Sequence, residues 1–232
     1  MNTITIETFM DACRDFEAAA KLKYHLEDST SAYMYIAGLS TFASYRDEIH
    51  VIRTLRNMLA HNNMENDGVE IIHFSPLLLS TLKKITNHIA NPTLVKECMV
   101  KNIYTASFND KISYLLKKMS EKGISHIPIL DEGYKLLGVF SRITIFSKMS
   151  LEGMNEISNE DTLEDYAKYL PIEMHENEAF GFIGCDEDIE KAKSLFKRTK
   201  ANKKRIVMLF VTKSGLRDER VLGILTPWDV LE

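Results

Sequence analysis

The chain has 232 residues, 45% hydrophobic and 27% charged, which is enough for two compact domains and the ordinary composition of a globular protein. Its formal net charge of -4 gives no general attraction to nucleic acid or anionic membranes, so any phosphate binding must come from a local site. Cys13, Cys98 and Cys185 lie far apart without a C-x-x-C pair, which argues against a metal cluster or disulfide framework and for free thiols in a reducing compartment.

The opening stretch from Met1 to Glu17 carries acids where a secretory leader carries basic residues. No uninterrupted apolar run approaches the length of a membrane span. The expected location is the cytoplasm, with no membrane contact and no DNA partner. Apolar residues then recur at three- and four-residue spacing from Thr3 to Glu27, which predicts a long helix. A second helix is expected from Ser31 to Phe42, interrupted at Gly38, and a third from Tyr45 to His61, stopping at Asn62-Asn63. Residues 68–74 read as a short extended connection. Ser75-Pro76 is a good cap with Pro at the first helical position, and it starts a fourth helix running to Ile89. Asn91-Pro92 closes this helical region, because a residue before Pro resists the helical conformation.

From Leu94 short apolar strands alternate with helices. Ser107 to Met119 is amphipathic, His126 to Leu130 is a strand, Asp131-Glu132-Gly133 a turn, and Leu136 to Phe140 a second strand. The order recurs: a helix from Asp186 to Arg198, a strand from Arg205 to Val211, a turn at Ser214-Gly215, and a strand from Val221 to Leu225. Two copies of helix, strand, turn and strand constitute an internal repeat. Leu151 to Glu178 is expected to join the copies, with a short helix from Thr162 to Leu170.

Each copy ends on a small motif. Thr226-Pro227-Trp228-Asp229 is a helix start, with Thr226 as cap, Pro227 at the first position and Asp229 as the acid of a capping box. A strand delivers this turn, where backbone N–H groups and the helix dipole favour an anion. The repeat, with its closing G-h-h-[ST]-x-x-D, resembles the CBS domain over about residues 94–232, and the pair resembles a Bateman module. That resemblance implies that Asp229 accepts hydrogen bonds from ribose hydroxyls and that Thr226 donates to ribose or phosphate. It places adenine between the backbone near Phe182, Ile183 and Gly184 and the strand around Leu209, Phe210 and Val211. The first copy keeps Ser141 but has Thr144 where the ribose-binding Asp belongs, so its site is expected to be degenerate. Arg142 there is either a phosphate contact or a solvated surface residue. Lys197, Arg198, Lys200, Lys203, Lys204 and Arg205 read as a solvated helix end and loop; Lys204 or Arg205 would be the members to reach a ligand phosphate.

In the third helix Ile49, Ile52 and Leu59 mark a buried stripe that also contains Arg56, and a guanidinium there must be paired or reach solvent. Arg56-Asn57-Met58-Leu59-Ala60-His61 resembles the R-x4-6-H signature of HEPN domains, helical bundles that often dimerise and include metal-independent ribonucleases. In that scheme His61 would assist deprotonation of a ribose 2′-hydroxyl and Arg56 would stabilise the phosphorane, supported by Asn57. Five residues, however, place Arg56 and His61 roughly 140° apart on a regular helix. Three readings stay open: a ribonuclease pair assembled in a dimer, a non-catalytic dimerisation or RNA-contact surface, and a surface His at a helix end beside an Arg paired to an acid. The whole chain resembles a bacterial family fusing a HEPN-like bundle to a CBS pair.

The expected fold is α+β: a helical domain at 1–92, a first CBS repeat at 93–150, a joining segment at 151–178 and a second repeat at 179–232. The expected function is nucleotide sensing, with AMP, ADP, ATP or a related nucleotide in the CBS pair coupled to a dimeric helical domain. No cofactor and no metal is required. A nucleotide-gated ribonuclease and a ligand-free dimerisation scaffold are the alternatives.

Overall fold

The computed structural model describes residues 5–61, 74–153, 156–197 and 204–230. The side chain of His61, the expected stop at Asn62-Asn63, most of the connection at 68–74 and the basic residues from 198 to 203 lie outside the described residues. The chain divides into two compact units, Met1–Thr93 and Leu94–Glu232.

The first unit is helical: α1 (Ile6–Tyr24), α2 (Ala32–Gly38), α3 (Arg46–His61) and α4 (Pro76–Ala90). Thr5 caps α1 through its side chain, and His25 ends it in the left-handed conformation with φ of 52°, so α1 is shorter at both ends than its apolar periodicity suggests. The helix expected from Ser31 to Phe42 with an interruption at Gly38 breaks there, α2 ending at Gly38. Leu39 turns to extended backbone, and a 3-10 segment, Ser40–Tyr45, follows and leads into α3. Ser75 and Pro76 start α4 as their chemistry dictates. The core consists of Phe9, Phe16, Ile36, Phe42, Ile49, Ile52, Leu82, Ile85 and Ile89, with Phe9 stacked on Phe74 at 4.4 Å and Phe16 on Tyr33 at 4.7 Å.

The second unit holds two repeats. The first comprises α5 (Val95–Cys98), α6 (Ile112–Lys122), β1 (His126–Leu130), β2 (Leu136–Ser141) and α7 (Arg142–Glu152). The second comprises a 3-10 segment (Leu163–Tyr169), β3 (Glu178–Gly184), α8 (Ile189–Lys197), β4 (Arg205–Thr212), β5 (Gly223–Leu225) and a 3-10 turn (Pro227–Asp229). β1 and β2 form an antiparallel pair. β4 lies between β3, which runs parallel to it, and antiparallel β5.

The repeats exchange their opening segments. Val95 packs in the second repeat with Ala179, Ile189, Leu209 and Leu225. Leu163, Tyr166 and Leu170 pack in the first with Ile112, Leu115, Ile127 and Phe140. The hydrogen bonds repeat the exchange: Val95 N–H donates to the Glu187 carbonyl at 2.9 Å, and Leu163 N–H to the Asp110 carbonyl at 2.9 Å. Val100 and Ile224 exchange two bonds of 2.9 and 3.0 Å, while Val139 N–H donates to the Leu170 carbonyl at 2.8 Å. The segment expected merely to join the copies is therefore core. Its helical turn buries Tyr166 completely, because that side chain completes the first repeat.

Two glycines allow the crossing. A Cβ on Gly138 would stand 2.5 Å from the Leu170 carbonyl oxygen, and one on Gly223 would stand 2.6 Å from Met99 Sδ and 3.0 Å from the Val100 oxygen. The motif glycine that precedes Ser141 and Thr226 is thus demanded by the neighbouring backbone. Gly138→Ala is expected to destabilise the second unit by about 3 kcal/mol, since backbone must move. Gly223→Ala should cost less, about 1–2 kcal/mol, because much of its clash is with a flexible thioether. Urea unfolding followed by the unit's fluorescence measures both, and equal stability of Gly138→Ala and wild type would refute the close approach.

Candidate functional site

β5 ends on the turn that carries Thr226 and Asp229. Asp229 Oδ2 accepts from Thr226 N–H at 2.6 Å and from Thr226 Oγ1 at 2.7 Å. Thr226 and Asp229 are both half-buried, and Trp228 between them is 88% exposed. The cap thus fixes the carboxylate at the mouth of the turn, with Oδ1 making no bond among the described residues.

The matching turn in the first repeat is closed. Ser141 caps α7, and Thr144 Oγ1 accepts from Ser141 N–H at 3.0 Å while donating to the Val139 carbonyl at 3.4 Å. Each is 1% exposed, so Thr144 has no outward carboxylate to offer a diol. Arg142 is exposed, with no partner among the described residues.

A cluster that the sequence reading did not find fills this place. Glu178, at the start of β3, accepts from His126 Nε2 at 2.9 Å, from Ser141 Oγ at 3.4 Å and from His175 Nδ1 at 3.3 Å. His175 Nε2 lies 3.1 Å from the Val139 carbonyl. Both neighbours of this buried ring are acceptors, so both bonds form together only with the doubly protonated imidazole. Ser125 Oγ lies 2.8 Å from His126 Nδ1, Lys204 donates to the His175 carbonyl at 2.6 Å, and both imidazoles meet the edge or face of Phe180. Burial alone would raise the Glu178 pKa, but hydrogen bonds and positive charge from His126 and His175 outweigh it and hold the carboxyl at about 2. Positions 126, 175 and 178 come from three separate elements, and no local spacing announces them.

The expected base-binding slot needs correction. β3 and β4 pair directly, with Gly181 opposite Leu209, Phe182 opposite Phe210 and Ile183 opposite Val211. Ile183, Leu209 and Phe210 are core residues, and Gly184 backs onto Glu187 and Ser214. Strands about 4.8 Å apart and hydrogen-bonded to each other leave no space for a flat base between them. Elsewhere in the unit a cavity of about 370 Å³ opens among Lys101, Ile103, Leu130, Tyr134, Arg220 and Leu222, with the Arg220 guanidinium 4.3 Å above the Tyr134 ring. Leu222 precedes Thr226 by four residues, roughly 13 Å along an extended chain, and neither Thr226 nor Asp229 is among the cavity's lining residues.

Residues 95–151 match the family model of the CBS domain. The chain is α+β, a helical region followed by two repeats of helix and strand, and the match to the CBS domain falls on the first of these repeats. No curated protein matches it. Among solved structures it is similar to the CBS domain pair of protein MJ0100 in complex with 5′-methylthioadenosine and S-adenosyl-L-methionine. Identity there is 26%, over 61% of this chain and 94% of that one, with a TM-score of 0.41. It is also similar to a putative acetoin utilization protein (AcuB) from Vibrio cholerae, with 18% identity, coverage of 61% and 89%, and a TM-score of 0.43. CBSX2 in complex with AMP gives 19% identity, coverage of 60% and 92%, and a TM-score of 0.42.

In the helical region Arg56 is paired to an acid. Its Nε lies 3.0 Å from Glu17 Oε1 and its terminal nitrogen 3.3 Å from Oε2, a two-pronged contact from α3 to α1, with Asn57 Oδ1 at 3.4 Å. A polar cavity of about 300 Å³ adjoins the pair, lined by Glu17, Lys21, Arg53, Arg56 and Asn57. Among the described residues no helix is long and apolar enough to cross a membrane, and no group of His, Cys, Asp and Glu is arranged to hold a metal ion.

The Glu178 cluster has a pH signature. A carboxyl depressed from 4.5 to about 2 contributes stability that is present above the unfolded pKa and lost as pH falls from about 4.5 through 2. Allowing for solvent screening at the edge of the cluster, this is worth on the order of 2–3 kcal/mol. Glu178→Gln should lower stability by that amount at pH 7 and flatten the loss between pH 4.5 and 2.5. Parallel wild-type and variant denaturation curves over that range would refute the assignment.

Proposed function

We propose that the CBS module senses an adenine nucleotide at the Thr226–Asp229 turn and communicates its occupancy to a dimeric helical unit. The observation that carries this reading is the Asp229 carboxylate, held in place by two bonds from Thr226 yet half-open to solvent at a strand-to-helix turn. A preorganised carboxylate suits the vicinal hydroxyls of a ribose; the N–H groups of Thr226, Asp229 and Val230 are spent inside the turn, so an attached phosphate takes its donors from elsewhere. Resemblance to CBS domains supplies the nucleotide class. With the slot between β3 and β4 closed, the base lies on the solvent side of the turn. The three free thiols fit a reducing, cytoplasmic setting.

Regulation requires that the nucleotide bind two arrangements of the protein with different affinity, since equal affinity shifts nothing. Titration calorimetry with AMP, ADP and ATP is expected to show binding by the wild type. Asp229→Asn, which keeps a cap but loses the charge, should weaken it at least tenfold, the loss expected for a charged hydrogen-bond acceptor. Sedimentation with and without nucleotide reads the coupling to dimerisation. Absence of heat with all three nucleotides, or an unchanged isotherm for Asp229→Asn, would sink the site.

The polar cavity beside Arg56 and Asn57 favours a second reading, a metal-independent HEPN-type ribonuclease gated by the nucleotide. It predicts RNA cleavage in the presence of a chelator, lost in Arg56→Ala and His61→Ala variants that keep wild-type helicity. Cleavage that survives both changes belongs to another site. A folded protein that cleaves no RNA leaves Arg56 as the partner of Glu17.

A further inference from the structure

Ile112 and Ile189 hold the same place in the two repeats: each follows a bridge residue, Lys111 paired with Thr162 and Asp188 paired with Leu94. Counting back equally from them, Ile103 matches Phe180 and Thr105 matches Phe182. Lys101 falls on Glu178. The turns match as well, because Gly138 and Gly223 receive crossing segments alike, which sets Ser141 against Thr226 and Thr144 against Asp229. In the first turn the Glu178 carboxylate reaches across from the other repeat and accepts from the Ser141 hydroxyl. By the same relation Lys101 belongs to the Thr226 turn: Val100, its neighbour, is bonded to Ile224, two residues before Thr226. Lys101 is exposed and has no partner among the described residues.

The side chains around the two positions agree with this contrast. A seven-residue insertion, 171–177, between the residues that match Val100 and Lys101, brings His175 into the first turn. There its ring, 2% exposed, bonds Glu178 and the Val139 carbonyl. Phe180, Phe182 and Phe210 pack behind it. On the other side Ile103 and its neighbours leave the 370 Å³ cavity open.

We propose that the charge at this one position decides which turn accepts an anion: Lys101 makes the Thr226 turn receptive to a ligand phosphate, and Glu178 closes the Ser141 turn as a built-in anion. The module then binds one nucleotide per chain. This inference rests on the nucleotide reading above for its Lys101 half; the Glu178 half stands without it.

The test uses the full chain and four proteins: wild type, Lys101→Glu, Glu178→Ala and Glu178→Gln, the last keeping side-chain volume in case the alanine variant fails to fold. Calorimetry with ATP should give one equivalent for wild type, at least tenfold weaker binding for Lys101→Glu, and, through the phosphates alone since Thr144 offers a ribose no carboxylate, a second and weaker equivalent for the Glu178 variants, weakest with glutamine. Independently, the ring signals of His126 and His175 in NMR spectra should move on addition of inorganic phosphate in the Glu178 variants and stay fixed in wild type. If wild type binds no nucleotide while these signals still move in the variants, the Thr226 site falls and the closure by Glu178 holds. Unmoved ring signals together with no second equivalent overturn the closure, and wild-type affinity in Lys101→Glu overturns the role of the lysine.

Discussion

Gly138 and Gly223 each lie against backbone from the other repeat, at a distance that admits no side chain, and the rest of the second unit depends on those two contacts. Through them each repeat takes its opening residues from elsewhere: Val95 closes the core around Leu225 and Ala192, and Leu163, Tyr166 and Leu170 close the core around Leu115 and Ile127. Neither half has a complete hydrophobic interior without its counterpart. Hydrophobic burial of this reciprocal kind makes the pair one cooperative object, and it places the turn at the end of β2 beside residues of the second repeat.

That placement explains why one architecture holds two different electrostatic environments. Ser141 starts an eleven-residue helix, α7, whose N-terminal field favours negative charge. At Ser141 the protein supplies that charge itself. The carboxylate is buried among two imidazoles and a hydroxyl, so its desolvation is offset by hydrogen bonds it could not find in an apolar wall. At Thr226 the local carboxylate, Asp229, serves the cap and keeps one oxygen outward. The two turns have the same backbone logic and opposite availability.

Much of this was legible in the residues. The capping signals of Ser75-Pro76 and Thr226-Pro227 located real helix starts, because capping is local chemistry that a few neighbouring residues decide. The repeated strand, turn and strand pattern located β1, β2, β4 and β5. The need to pair Arg56 followed from its place on an apolar stripe, and Glu17 answers it. What the residues did not disclose is long-range. The exchange of opening segments leaves no periodic mark, so Leu163 to Leu170 read as a joining piece. β3 was mistaken for one wall of a slot, since a buried parallel strand such as Ala179 to Ile183 has no alternation to announce its partner. The Glu178 cluster was invisible for a related reason: His126 and Ser141 are distant in sequence from His175 and Glu178 and meet them only through the fold.

The exchange also orders events in time. The described core of the first unit is complete by Ile89, once α4 has packed on α1, so it can close before the second unit has been made. The first repeat has to wait for Leu163 to Leu170 before its interior is covered. Val95 to Val100, although they come first, stay without their sheet partner until β5 has been synthesised, more than a hundred residues later. During translation the opening residues of the second unit are therefore the last to be sheltered, and this is the interval in which a chaperone or a neighbouring nascent chain would find them.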